Sequence, residues 1–193
     1  PTGTGKAFVI ALFCQRAIAD YSDTRIINVT DDKRLIEQNY LELMNIWEWA
    51  PAGIYSAGLK SRNTHAQILF AGIQSVYKKA YQIQRCDLML VDEAHMIGRK
   101  SDGMYQQFIR DMRSINPHMK VIGLTATHYR LDSGMLHEGD DRLFTDIAYE
   151  YQIATAIKDG FLAPVTSRRT GVELDTTGVA KRGGDFVPGA LEA

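Results

Sequence analysis

Three short stretches of this sequence carry side chains whose chemistry depends on their neighbours. In the first, Pro1-Thr2-Gly3-Thr4-Gly5-Lys6, two glycines lead into a lysine and a helix-spaced run from Lys6 to Asp20. Glycines let successive backbone N–H groups turn inward around an anion, and a helix N-terminus behind them adds positive charge. Thr2, Gly3, Thr4, Gly5, Lys6 and Ala7 are therefore candidate polyphosphate-binding residues, with Lys6 reaching the outer phosphates. Taken alone, the hexapeptide reads equally as a glycine turn capping a helix beside a solvated lysine. Ala7 stands where such a loop normally presents a hydroxyl to Mg²⁺, and a methyl group coordinates nothing.

The second stretch is the apolar run Cys86-Asp87-Leu88-Met89-Leu90-Val91, which ends in Asp92-Glu93-Ala94-His95. A buried strand with this ending sets two adjacent carboxylates at the C-terminal edge of a parallel sheet, where ligands bind. One carboxylate can hold Mg²⁺ through water while its neighbour orients or deprotonates an attacking water. By role, Asp92 is the metal group and Glu93 the base. In the third stretch, Lys120-Val121-Ile122-Gly123-Leu124 leads into Thr125-Ala126-Thr127, bringing hydroxyls to the same edge. Those of Thr125 and Thr127 are placed to hydrogen-bond His95 or a carboxylate.

Positioning these groups requires strands that stop at one edge. Arg25 to Thr30, Gly53 to Ala57, Gln67 to Ala71, Asp87 to Val91 and Lys120 to Thr125 are short β-rich runs, mostly apolar on both faces as buried parallel strands are. Between them, Asp31 to Trp47 spaces Ile36, Tyr40, Leu43 and Trp47 helically, and Gly103 to Asn116 does so with Met104, Phe108, Met112 and Ile115. Ser101 or Asp102 is placed to cap the second helix, and Pro117 closes it. The succession predicts an α/β fold, a mostly parallel sheet with helices on both faces. Asp132 to Asp146 reads as a long loop with a turn of helix, and the glycine-rich text from Gly171 onward as a connector.

Composition sets the outer bounds. The 193 residues suit one domain, and 22 Lys and Arg against 23 Asp and Glu leave a net charge of -1, so any nucleic-acid contact rests on local patches. Such patches are Lys60 with Arg62, Lys78 with Lys79 on the helix that carries Gln74, and Arg99 with Lys100. Each pair taken singly also serves as ordinary surface charge. Cys14 and Cys86 form no paired motif, read as buried small apolar residues and fit a cytoplasmic, reducing setting without membrane contact. Trp47 and Trp49, with Pro51 beyond them, are expected to pack a helix end, and His65, His118 and His137 lack ligand spacing.

The order of phosphate loop, Asp92-Glu93-Ala94-His95 and Thr125-Ala126-Thr127 resembles motifs I, II and III of the superfamily 2 DEAD/DEAH-box helicases and translocases, over essentially the whole chain. Met104 to Phe108 and Gly123 to Leu131 look like the RadD-like branch of bacterial and phage repair helicases. The resemblance implies a RecA-like P-loop NTPase fold using ATP and Mg²⁺, with His95, Thr125 and Thr127 coupling nucleotide state to grip on nucleic acid. It implies that residues 1–170 form the first RecA-like domain, opening inside its phosphate loop, and that 171–193 lead toward a second, C-terminal one supplying arginine fingers. Residues 1–193 alone are then expected to be inactive.

By family position, Thr30 with Lys33, and Gly72 with Gln74 and Ser75, hold the nucleic-acid backbone, expected to be DNA gripped without sequence readout. Three departures stand out: Ala7, His128 in place of a proline after Thr-Ala-Thr, and the acidic Asp31-Asp32 in the strand-binding segment. Two alternatives remain open. One is a nucleotide-responsive nucleic-acid-binding module whose hydrolysis Ala7 impairs, and the other is the motor subunit of a restriction enzyme.

Overall fold

Backbone N–H and C=O groups can be buried only when paired, so apolar runs of five residues that bury both faces must sit inside a sheet. β1 (Ile26–Thr30), β4 (Ile68–Gly72) and β5 (Leu88–Asp92) do so, with every residue buried. In the computed structural model, which describes residues 5–98, 103–130, 134–139, 142, 144–164, 181–182 and 185–186, these three form the centre of a six-stranded sheet. β2 (Ala52–Ser56) and β3 (Ser61–Arg62) extend it on one side, and β6 (Lys120–Leu124) on the other, giving the order β3-β2-β4-β1-β5-β6. All neighbours are parallel except β3, a short return strand antiparallel to β2. Asn28 lies in register with Phe70 on one side and Leu90 on the other.

Helices cover both faces, as the alternation of strands and helices predicts. On one face, α1 (Lys6–Asp20) and α2 (Lys33–Ile46) bury Ile10, Cys14, Ile36 and Leu43 against Ile26, Ile68, Phe70 and Leu90. Tyr40 of α2 meets the Phe70 ring edge-on, with centroids 5.9 Å apart. On the other face, α3 (Ile73–Val76), α4 (Ala80–Ile83) and α5 (Met104–Ile115) pack Val76, Ile83, Phe108 and Met112 onto Ile27, Val29, Leu69 and Met89. Arg25 ties the opposite sheet edge together, its guanidinium donating to the carbonyls of Thr64 and Ile83 while its backbone N–H donates to Asp87 Oδ2 at 2.9 Å. Burial lowers the pKa of this arginine from its ordinary value.

Several details differ from the sequence reading. α5 turns Tyr105 inward and leaves Met104 38% exposed, so its buried face starts one residue later than the apolar spacing suggests. Its N-cap is Gly103, while Ser101 and Asp102 lie outside the described residues. Trp47 caps the C-terminus of α2 and packs on the core, but Trp49 is 84% exposed and packs no helix end. Lys78 and Lys79 do not share a helix with Gln74: α3 stops at Val76, and Lys78 Nζ rests 5.2 Å from the centroid of the Tyr77 ring.

Between Asp132 and Asp146 the described residues contain no helix; β8 (Gly134–Met135) lies there and pairs antiparallel with β7 (Tyr129–Arg130), just before it. A short helix, α6 (Ile153–Lys158), follows. The segment read as a connector from Gly171 lies outside the described residues, apart from the paired strands β9 (Lys181–Arg182) and β10 (Asp185–Phe186). No helix among the described residues is long and apolar enough to cross a membrane.

Candidate active site

β5 delivers Asp92 to the C-terminal edge of the sheet with only 2% of its surface exposed. A carboxylate so deeply placed needs hydrogen-bond donors, because desolvating an unpaired charge is costly. Asp92 has two: Oδ1 accepts from the backbone N–H of Glu93 at 3.0 Å, and Oδ2 accepts from Asn39 Nδ2 on α2 at 3.0 Å. The chain then reverses. Glu93 adopts φ 52 and ψ 50, the left-handed region that costs a side-chain-bearing residue roughly 1 kcal/mol or more, and a 3-10 turn over Ala94–Met96 follows.

That reversal sends the two carboxylates to different surroundings. Glu93, 22% exposed at its side chain, accepts from Lys6 Nζ through Oε1, and its Oε2 lies 3.3 Å from His95 Nδ1. His95 Nδ1 is also 3.0 Å from Thr125 Oγ1. Thr125 in turn donates to the carbonyl of Thr127 at 2.8 Å and accepts from the Thr127 backbone N–H at 3.1 Å, so its hydroxyl is locked. Lys6, Glu93, His95, Thr125 and Thr127 therefore form one connected polar chain from the start of α1 to the end of β6.

Gly5 precedes α1 in the left-handed conformation, φ 77, and no side chain caps the helix. Among the described residues no side chain takes up the first N–H groups of α1, which are placed for an anion beside Lys6. Ala7 follows on the first turn, and Thr2, Gly3 and Thr4 lie outside the described residues. Gly123 of β6 gives the site its close wall, since a Cβ there would come within 2.5 Å of the Phe144 ring and 2.8 Å of Ala94 Cβ.

The residues expected to hold a nucleic-acid backbone occupy the same sheet edge, farther along. Lys33 is exposed on the first turn of α2. Gln74 donates to the Asp31 carbonyl at 3.3 Å, and Ser75 Oγ accepts from the Ala57 N–H at 3.0 Å, which fixes the chain after β2. Thr30 is fully buried at the end of β1, and its hydroxyl has no hydrogen-bond partner among the described residues. The acidity of Asp31-Asp32 is also partly absorbed. Asp32 caps α2 by accepting from the Arg34 N–H at 2.8 Å and pairs with the Arg34 guanidinium, whose hydrogen bonds hold its carboxyl below the usual range.

Sequence reasoning missed the polar layer behind Asp92. Asn28 and Asn39 are 0% and 1% exposed, and the one available signal was an asparagine set between Ile27 and Val29 at the centre of β1. Tyr105 was also unassigned; its buried hydroxyl has no partner among the described residues, and burial together with the charges of Asp31 and Asp92 raises its pKa. Arg99 and Lys100 lie outside the described residues.

Comparison with known proteins agrees with this geometry. The family described as type III restriction enzyme, res subunit (ResIII) matches residues 1–130. The chain is also similar to the endonuclease subunit of the type I restriction enzyme EcoAI of Escherichia coli, at 26% identity over 188 residues, covering 92% of this chain and 22% of that protein. It thus spans less than a quarter of that relative. With a parallel α/β sheet, the acidic motif at its edge and a family match across residues 1–130, this chain belongs to the ResIII family of helicase-superfamily-2-type domains.

Proposed function

We propose that this chain is the first motor domain of a nucleic-acid helicase or translocase, binding and hydrolysing ATP to drive movement on DNA. The observation that carries the reading is the contact chain Lys6–Glu93–His95–Thr125, which links the phosphate-loop lysine, the acidic motif and the Thr-Ala-Thr segment. In this reading the open N-terminus of α1 and Lys6 bind the phosphates. Glu93, 22% exposed at its side chain, takes the proton of the attacking water. His95 and Thr125 transmit the state of that carboxylate to β6 and the segment beyond it.

Mg²⁺ is usually held by one or two carboxylates together with waters and substrate phosphates. The described residues contain no group of three His, Cys, Asp or Glu side chains suited to a self-contained metal site. The donors therefore fit an ion that arrives with the nucleotide, with Asp92 holding it through water and Ala7 contributing no oxygen. Such an ion supplies positive charge against the phosphate oxygens. Lys33, Gln74 and Ser75 grip the DNA backbone without reading bases. Residues 1–170 form the first RecA-like domain, and 171–193 lead toward a second one that completes the site.

The deciding experiment is ATP hydrolysis by the full-length protein with single-stranded DNA, duplex DNA or RNA. Glu93→Gln should lower turnover at least about a hundredfold, the usual loss of a general base, while nucleotide still binds. Unchanged turnover in that variant discards the assignment. Hydrolysis that appears only after Ala7→Thr would favour the reading in which this chain responds to nucleotide without consuming it.

A more specific reading is a restriction-enzyme motor, supported by the family match and by the type I relative. The rival branch, RadD-like repair helicases, is supported by residues 104–108 and 123–131. A motor that moves along intact duplex displaces a third strand from it without separating the two, whereas a repair helicase opens a forked duplex. Running both assays on the full-length protein separates them.

A further inference from the structure

Behind Asp92, two buried asparagines form a line of amides that reaches from one strand to the next. Asn28 Nδ2 donates to the Leu90 carbonyl at 3.4 Å, Asn39 Nδ2 lies 3.3 Å from Asn28 Oδ1, and the same Asn39 nitrogen donates to Asp92 Oδ2 at 3.0 Å. All three side chains are at most 2% exposed. The line also has a fixed direction. Leu90 offers only a carbonyl, so Asn28 turns its NH₂ toward it and its oxygen toward Asn39; Asn39 must then direct its NH₂ at both Asn28 and the acceptor-only carboxylate. Turning either amide over would set oxygen against oxygen, which costs far more than the hydrogen bond itself contributes.

We infer that Asn39 is a positioning residue for Asp92: with Asn28 behind it, it fixes the rotation of the carboxylate so that the oxygen lone pairs left over face the nucleotide and its Mg²⁺. The residue comes from α2, the helix that begins at the proposed DNA-gripping Lys33, so displacement of that helix would turn the metal-facing carboxylate. The inference rests on the functional reading above. Residues that orient a metal-facing ligand from behind typically change metal affinity by about 10–100-fold when removed.

The test uses the full-length protein and a fluorescent ATP analogue, titrated with Mg²⁺ and, separately, in EDTA. Asn39→Leu removes both donors at similar volume and should raise the half-saturating Mg²⁺ at least about tenfold, leaving affinity in EDTA unchanged. Asn28→Ala removes only the support behind Asn39 and should shift the same quantity in the same direction by less.

If Asn39→Leu and Asn28→Ala both fold and both leave half-saturating Mg²⁺ at its original value, the inference is overturned. Should Asn39→Leu not fold, Asn28→Ala decides alone. Should the unaltered protein bind no nucleotide, the motor reading itself fails. The orientation of the Asp92 carboxylate in crystals of Asn39→Leu then decides the positioning claim, an unmoved carboxylate refuting it.

Discussion

Lys6 and Glu93, 87 residues apart in the chain, hold one another at the mouth of the site, the ammonium donating to Oε1 of the carboxylate. The group proposed to bind phosphate thus occupies the group proposed to activate water. In the proposed reading, phosphate takes Lys6 away from Glu93 and so frees the carboxylate to act as a base. Binding and activation become a single exchange of partners.

From this exchange follows an asymmetry between two variants of the full-length protein. Glu93→Gln relieves Lys6 of its competitor, so nucleotide affinity should hold or increase by up to about tenfold. Lys6→Ala removes a charge-assisted contact worth about 1.5–3 kcal/mol and should weaken binding roughly 10- to 100-fold. Fluorescent-nucleotide titration reads both; equal weakening in the two variants would contradict the exchange.

Thr125 hydrogen-bonds His95 Nδ1 and is itself fixed by Thr127. Thr125→Val keeps the shape but removes the hydroxyl. The stimulation of ATP hydrolysis by DNA should then fall about five- to tenfold, the scale of one or two lost hydrogen bonds, and Thr125→Ser should restore it. If the valine variant is stimulated as strongly as the unaltered protein, His95 and Thr125 do not couple the two activities.

Gly123 leaves no room for a side chain, because a Cβ would meet the Phe144 ring at 2.5 Å and Ala94 Cβ at 2.8 Å. Gly123→Ala should destabilise the domain by about 1–3 kcal/mol, the range for overpacking. Adding Phe144→Ala, which removes the nearer obstacle, should recover part of that loss. Thermal melting of the single and double variants checks the sign: additive destabilisation would mean that the ring is not the obstacle.

Burial pushes the thiols of Cys14 and Cys86 up to about 12 from an ordinary value of 9.0, and at Cys86 the charge of Asp87 adds to the effect. Because the folded state raises these pKa values, their contribution is fully present below about pH 9 and is lost as pH rises from there toward 12. Alkaline denaturation should steepen through that window, and Cys14→Ala or Cys86→Ala should each flatten it. At pH 8 neither thiol should react with a disulfide reagent until the chain unfolds.

The parts of the fold legible in the sequence were those set by local pattern. Five fully or largely apolar runs became the parallel strands within a residue or two of their expected ends, because burial on both faces leaves few other arrangements. The convergence of the site candidates was legible for the same reason: Glu93, His95 and Thr125 stand just past strand ends, and parallel strands bring their ends together. What escaped depended on long-range pairing. Nothing near Asn39 in the sequence points to a carboxylate 53 residues away. The face of α5 hinged on whether Tyr105 or Met104 packs inward, a choice made by the neighbouring sheet. The two-residue strands β3, β7 and β8 are too short to leave a periodic trace.

β6 ends the sheet: it pairs with β5 alone among the described strands, and its Val121, Ile122 and Leu124 are only partly covered. A row of amides and carbonyls with no strand partner among the described residues, flanked by branched apolar side chains, is a template on which another extended chain can zip. Recombinant material containing only these residues is therefore expected to associate with itself, most when concentrated. Assays on such a fragment should compare dilute and crowded samples before a lack of activity is blamed on the chemistry of the pocket.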